Sequence, residues 1–232
     1  SIPSVYPDDT YDAYVYIVDE HDFGASGVYQ GSNSSFTVNN TSPTVSSVTI
    51  NGGSDITLLE NSTKEVILTA TVSDSNSCFG TEISSVLGYA YRSSITYTNC
   101  DTLGEANNNY CYSDISCTQV EGSCTDITDA SANYTCTTNI YYYADPTDIA
   151  TQYPDDTWIS TIKATDDDDA SHNESVATGV EMSSLTAASI TSSINFGNLG
   201  IEQSNDPLDK ITTTTPTGNV GLDQEVSGSA NM

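Results

Sequence analysis

The chain has 232 residues, with 32 Asp and Glu against 4 Lys and Arg, a formal net charge of −28. Such a surface repels nucleic acid and anionic membranes and attracts cations, because the bases that neutralise phosphate are missing. No run of about 18 apolar residues is present, so no direct membrane insertion is expected.

The first element is the motif Tyr6-Pro7-Asp8-Asp9-Thr10, which recurs as Tyr153-Pro154-Asp155-Asp156-Thr157. Each copy leads into an alternating strand and then an acidic cluster, Asp19-Glu20-His21-Asp22 in one case and Asp166-Asp167-Asp168-Asp169 in the other. Aligning the copies pairs Tyr11 with Trp158, Val15 with Ile162 and Ile17 with Ala164. The opposite register of the second copy holds Thr161 and Lys163, and a lysine marks a solvent face. Trp158, Ile162 and Ala164 are therefore predicted to point inward, and Tyr11, Val15 and Ile17 with them. Phe36 and Val38, and in the second copy Val180 and Met182, read as the return strands.

Between the copies lie further strands. Val48 and Ile50 open one; Val66, Leu68, Ala70 and Val72 alternate through the next; a third covers residues 84–92. Tyr134, Cys136, Thr138, Ile140 and Tyr142 alternate in a fourth. No comparable helical period appears, residues 183–189 being a weak candidate. The expected fold is all-β, in sandwich modules. Residues 43–183 form one complete module, 1–42 the C-terminal part of a preceding one and 184–232 the N-terminal part of a further one. The first repeat lies close to residue 1, so the chain is expected to be a length of a tandem array.

Residues 43–183 exceed the roughly 100 residues of an immunoglobulin-type sandwich. The excess matches residues 99–133, rich in Cys and Asn with little apolar pattern, read here as a surface insertion without a core of its own. Cys78, Cys100, Cys111, Cys117, Cys124 and Cys136 are an even, local set, which reads as disulfides and an oxidising compartment, with the pairing left open. Cys136 lies on an inward register and should tie the insertion to the sandwich. Asn33, Asn39, Asn40, Asn61, Asn133 and Asn173 each head an N-glycosylation triplet.

The run Phe36-Thr37-Val38-Asn39-Asn40-Thr41-Ser42-Pro43 resembles the junction in prokaryotic tandem Ig-like surface proteins. The stretch from Ser193-Ile194-Asn195-Phe196-Gly197 to Thr217-Gly218-Asn219-Val220-Gly221-Leu222 resembles the opening half of another such module. The resemblance implies an extracellular or cell-surface location, in archaeal or bacterial stalks, S-layers, adhesins or filaments, and it carries no catalytic residues. The expectation is a structural subunit that self-associates into a polymer, by strand complementation where a sheet edge is open. The alternatives are a stalk segment of a long adhesin and a glycan-binding module built on Tyr141 and Tyr143.

In an Ig-type sandwich the turn after the second strand and the turn between the last two strands sit at one end. Asp74 and Asn76 would then meet Asp166, Asp167 and Asp168, with residues 39–43 entering beside them and Asp19 and Asp22 as the equivalents in the first copy. Oxygens from three segments suit Ca²⁺, which takes six to eight of them. Catalysis finds no support. His21 and His172 lie in or beside acidic turns with no nucleophile motif near them, and no Cys-x-x-Cys spacing occurs.

Overall fold

A computed structural model describes residues 5–14, 34–102, 107–195, 200, 202 and 211–223. The fold is all-β, and most of it is one seven-stranded antiparallel sheet folded upon itself. Its strands are β3 (Thr44–Ile50), β4 (Thr63–Ser73), β5 (Ile83–Arg92), β6 (Cys111–Gln119), β7 (Ser131–Tyr141), β8 (Trp158–Asp166) and β9 (Ser171–Ser175). They pair in the order β3-β4-β7-β6-β5-β8-β9. Before them β1 (Asp9–Ala13) pairs with β2 (Ser34–Val38), and after them β10 (Ala188–Ile190) pairs with β11 (Thr214–Pro216).

The alternation read in the sequence sets the core. In β4, Val66, Leu68, Ala70 and Val72 are buried. In β7 they face Thr138, Cys136, Tyr134 and Ala132 in register. β8 supplies Trp158, Ile162 and Ala164, all fully buried as expected. The two halves of the sheet meet where Gly88 of β5 lies against Leu68 and Cys136. A Cβ at Gly88 would stand 3.0 Å from Leu68 Cδ1 and 3.1 Å from Cys136 Sγ. The other edge nearly closes, since Val45 N–H of β3 donates to His172 Nδ1 of β9 at 3.1 Å. The result is a β-sandwich-like barrel with a single apolar interior.

Two bulges redirect side chains in ways that alternation does not encode. In β3 the register with β4 shifts between Ser46 and Thr49, and Ser47 has φ of 53°. Val45 and Val48, of opposite parity, are therefore both buried. In β6 the register with β5 shifts around Asp114, which has φ of 53°. Tyr112 and Ile115 both turn inward, and the strand then leaves β5 to pair with β7 at Cys117↔Cys136.

Residues 99–133 are thus not simply a surface insertion, because they contain β6, the strand that joins the two halves of the sheet. Nor do they lack a core. The helix α1 (Tyr97–Thr102) and the Cys100–Cys111 disulfide cover the outer face of β5. Tyr89, Tyr91, Cys100 and Cys111 are buried there with Ile159 and Tyr97 packed against them. This second cluster corrects the reading of Thr161 as solvent-facing: its Oγ1 shares hydrogen bonds with Tyr91 Oη and Ser175 Oγ, both at 2.7 Å, and it is fully buried. Lys163, on the same face, remains part-exposed.

All six cysteines are paired, as Cys78–Cys124, Cys100–Cys111 and Cys117–Cys136, and such pairs are stable in oxidising surroundings. Cys136 is fully buried and does tie residues 99–133 to the sandwich. Among the described residues no helix is long and apolar enough to cross a membrane. Residues 183–187 form no helix.

The repeat holds at the level of pairing. Tyr11 pairs with Phe36, and the equivalent Trp158 bridges the equivalent Val180. Tyr11 is half-buried and stacks on Phe36 with centroids 5.6 Å apart. Val15 and Ile17 lie outside the described residues. In the second copy the immediate return strand is β9, and Met182 bridges Ile56 in parallel instead.

Gly88→Val would push β5 away from Leu68 and the Cys117–Cys136 bridge. Overpacking of this kind costs about 1–3 kcal/mol, and the expected outcome is a lower midpoint in chemical denaturation with no change in its slope.

Candidate functional site

The end of the sandwich nearest residue 40 collects the turns that the strand order brings together. Residues 74–76 follow β4, residues 80–82 precede β5, and residues 167–170 connect β8 to β9. Because Ile83 pairs with Asp166, Glu82 is carried to the β8–β9 turn, where Asp167 N–H donates to the Glu82 carbonyl at 3.2 Å.

Hydrogen bonds latch the incoming chain to this end. Asn76 Oδ1 accepts from Thr41 N–H at 2.7 Å, and its Nδ2 donates to the Asn39 carbonyl at 3.0 Å. Asn40 Nδ2 donates to Asp166 Oδ2 at 3.0 Å. Asp166 Oδ1 accepts from the N–H groups of Asp168 and Ala170 at 3.1 and 2.7 Å, which closes the turn. Asn76 and Asp166, read from sequence as cation ligands, thus hold the linker. Asp74 Oδ1 accepts from Asn76 N–H at 2.7 Å. Its Oδ2 is buried with no hydrogen-bond partner.

In front of this latch stand three carboxylates from three segments. Asp8 of the first repeat, Glu82 and Asp167 place one oxygen each within 4.8 Å of one another, a grouping that could hold a metal ion. Asp168 lies beside Asp8, and its charge acts on it. Burial, then the charges of Asp167, Asp8, Asp74 and Asp166, pushes the Glu82 carboxyl up to about 7. Asp74 is raised by burial first and then by Asp166 and Asp8. Asp8 is raised by burial and by Asp168 and Asp167. Asp19, Asp22 and His21 lie outside the described residues.

The opposite end handles charge differently. Arg92, at the far end of β5, pairs with Asp145 at 3.1 Å and with Asp156 of the second repeat. Its guanidinium also lies 3.6 Å from the ring centre of Tyr153. The two partners respond in opposite directions. Burial holds Asp145 above the usual carboxylate range despite Arg92. At Asp156 burial acts upward too, but Ser94, Arg92 and Ser93 outweigh it and leave the group low.

A second latch sits at this end. Asn219 Oδ1 accepts from Leu185 N–H at 2.6 Å, and its Nδ2 donates to the Ala144 and Ser183 carbonyls at 3.0 and 3.2 Å. Thr217 Oγ1 donates to Glu60 Oε1 at 2.9 Å. Gly218 lies so close to the Leu185 carbonyl that any Cβ would collide with it.

The remaining sequence candidates scatter. Tyr141 and Tyr143 stack on each other at 5.2 Å and 10°, which occupies one face of each ring. Asn61, Asn133 and Asn173 are exposed, as is Asn39. The Asn40 amide is engaged with Asp166, and Asn33 lies outside the described residues. His172 is engaged with Val45. Searches against family models, curated proteins and solved structures returned no match.

Two outcomes follow from the charges. A carboxyl raised in the folded state binds its proton more tightly there. Between 4.5 and about 7 the folded protein therefore holds more protons, and stability falls as pH rises. In chelator, thermal melting should move up by a few degrees from about pH 7.5 to about pH 5.5, and Glu82→Gln should flatten that slope. Arg92→Met would strand two carboxylates and should cost about 3–5 kcal/mol in denaturant titration.

Proposed function

We propose that the chain is a length of an extracellular structural array, built of tandem immunoglobulin-like β-sandwich modules and working in a filament or surface layer. The observation that carries this reading is the pair of latches. Each end of the sandwich is joined to the next segment by buried or part-buried side-chain hydrogen bonds, where a flexible tether would have none.

The strand order supports the immunoglobulin-like part. The sequence β3-β4-β7-β6 corresponds to strands A-B-E-D of that fold and β5-β8-β9 to C-F-G. The chain departs from the antibody pattern in its cross-links. Leu68 and Ile162 occupy the centres of the second and sixth strands, and Cys117–Cys136 lies within one sheet instead. Three disulfides fit an extracellular setting.

Assembly through added strands draws on the flanking units. The β1–β2 and β10–β11 pairs are two-stranded among the described residues, and an isolated two-stranded unit is marginal in water. Tyr14, Ile190, Ile194 and Ile211 beside them are exposed. Strands from the same polypeptide or from a neighbouring subunit would cover them.

Small-angle scattering of the full chain should give an elongated, stiff particle. Asn219→Ala, which removes three hydrogen bonds at one latch, should broaden the distance distribution. Electron microscopy of concentrated protein should show linear or sheet-like assemblies. Compact, monodisperse monomers with no assembly would overturn the filament reading.

A further inference from the structure

We propose that Asp8, Glu82 and Asp167, with Asp74 behind them, bind one calcium-class divalent cation that clamps the β1–β2 hairpin onto the sandwich. The inference deepens the structural reading above, since it names what regulates one of its junctions.

The spacing is suitable. Calcium–oxygen distances of about 2.3–2.6 Å place ligand oxygens on opposite sides of one ion roughly 5 Å apart. Oxygens within 4.8 Å of one another can therefore share an ion. The three carboxylates also come from separate segments, so a shared ion would cross-link them.

Asp74 supplies an independent observation. Its side chain belongs to a residue only 3% exposed, and Oδ2 has no hydrogen-bond partner. Buried carboxylate oxygens are normally satisfied, because the lost hydration is otherwise uncompensated. The Asp74 charge acts on Glu82, and Asp8 and Asp166 act on Asp74 in turn. The unpartnered oxygen thus belongs to the same electrostatic cluster as the triad.

The repeat sharpens the contrast. In the second copy Asp156, the counterpart of Asp9, is paired by Arg92. In the first copy the groups that act on Asp8 are the carboxylates of Asp168 and Asp167. Of the bases in the described residues, Arg92 ends β5 and Lys64 lies near the start of β4, both at the opposite end of the sandwich, while Lys163 sits mid-strand in β8. An external cation at Asp8 would counter the acids of the first repeat as Arg92 counters the neighbouring motif position, Asp156, in the second.

The donor set selects the class of ion. Carboxylate oxygens suit hard cations, the cysteines are all in disulfides, and the His172 ring nitrogen facing β3 is engaged. Magnesium demands near-ideal octahedral geometry, whereas calcium accepts an irregular set completed by water.

The test is calorimetric titration of the EDTA-stripped full chain with calcium chloride at physiological ionic strength. Terbium luminescence sensitised by Tyr11, whose hydroxyl feels the charges of Glu82 and Asp8, gives a second readout. One saturable site is expected, with affinity at least about tenfold lower in Asp8→Asn and in Glu82→Gln and unchanged in Glu121→Gln. Circular dichroism in chelator confirms that the variants fold. Calcium should also raise the melting temperature of the unaltered protein by more than that of Glu82→Gln. Absence of saturable binding, or equal affinity in all variants, would overturn the site. Scattering separates the two readings. A stiff particle without calcium binding removes the cation and leaves the array; a flexible particle that binds calcium removes the array and leaves the cation.

Discussion

The antiparallel pairing of β5 with β8, from Ile83↔Asp166 to Arg92↔Trp158, is the constraint on which both ends of the molecule depend. At one end it brings Glu82 to the β8–β9 turn. At the other it brings Arg92 to the second repeat. Both faces of this pair are covered. Val86, Ala90, Trp158, Ile162 and Ala164 face the main core, while Tyr89 and Tyr91 face the cluster under α1. Burial on two sides fixes the register, because a one-residue slip would exchange the two sets of side chains.

A chain with 4 bases cannot neutralise 32 acids by ion pairs. It answers the shortage with neutral donors. Backbone N–H groups close the Asp166 turn, Asn40 and Asn76 fasten the linker, and Asn219 fastens the following segment. Hydrogen bonds to a carboxylate from such donors favour its charged form without a counter-charge. Asp129 shows the effect in isolation: N–H groups of Thr125 and Asp126 hold it below the usual range. In the Asp8–Glu82–Asp167 group burial and neighbouring carboxylates prevail at two members, and Glu82 and Asp8 are driven up rather than down.

The parts of the fold that were legible share one property. β4, β7 and β8 have unbroken alternation, and one face of each meets the core along its length. β6 was missed for the opposite reason. Its bulge at Asp114 puts buried residues of both parities in one strand, and its change of partner leaves its C-terminal half exposed. The resulting sequence has no period, so it resembles a loop. The solvent face assigned to Thr161 failed because α1 and its disulfide cover it from elsewhere in the chain.

Residue types and their spacing determined that the chain is all-β, which faces of its regular strands turn inward, and that its cysteines pair. These are local properties, set by side-chain period and by the chemistry of single residues. Which cysteines pair, that β6 joins the two halves of the sheet, and that Asp8 and Glu82 rather than Asn76 and Asp166 face Asp167 were decided only by tertiary structure. Asp8 carried a signal, its place in the repeated Tyr-Pro-Asp-Asp-Thr motif. Glu82 carried none, since nothing in Gly80-Thr81-Glu82 marks a site. Its carboxylate reaches the cluster through a strand pairing between residues some eighty positions apart in sequence, and long-range register of that kind depends on the packing of the whole sandwich.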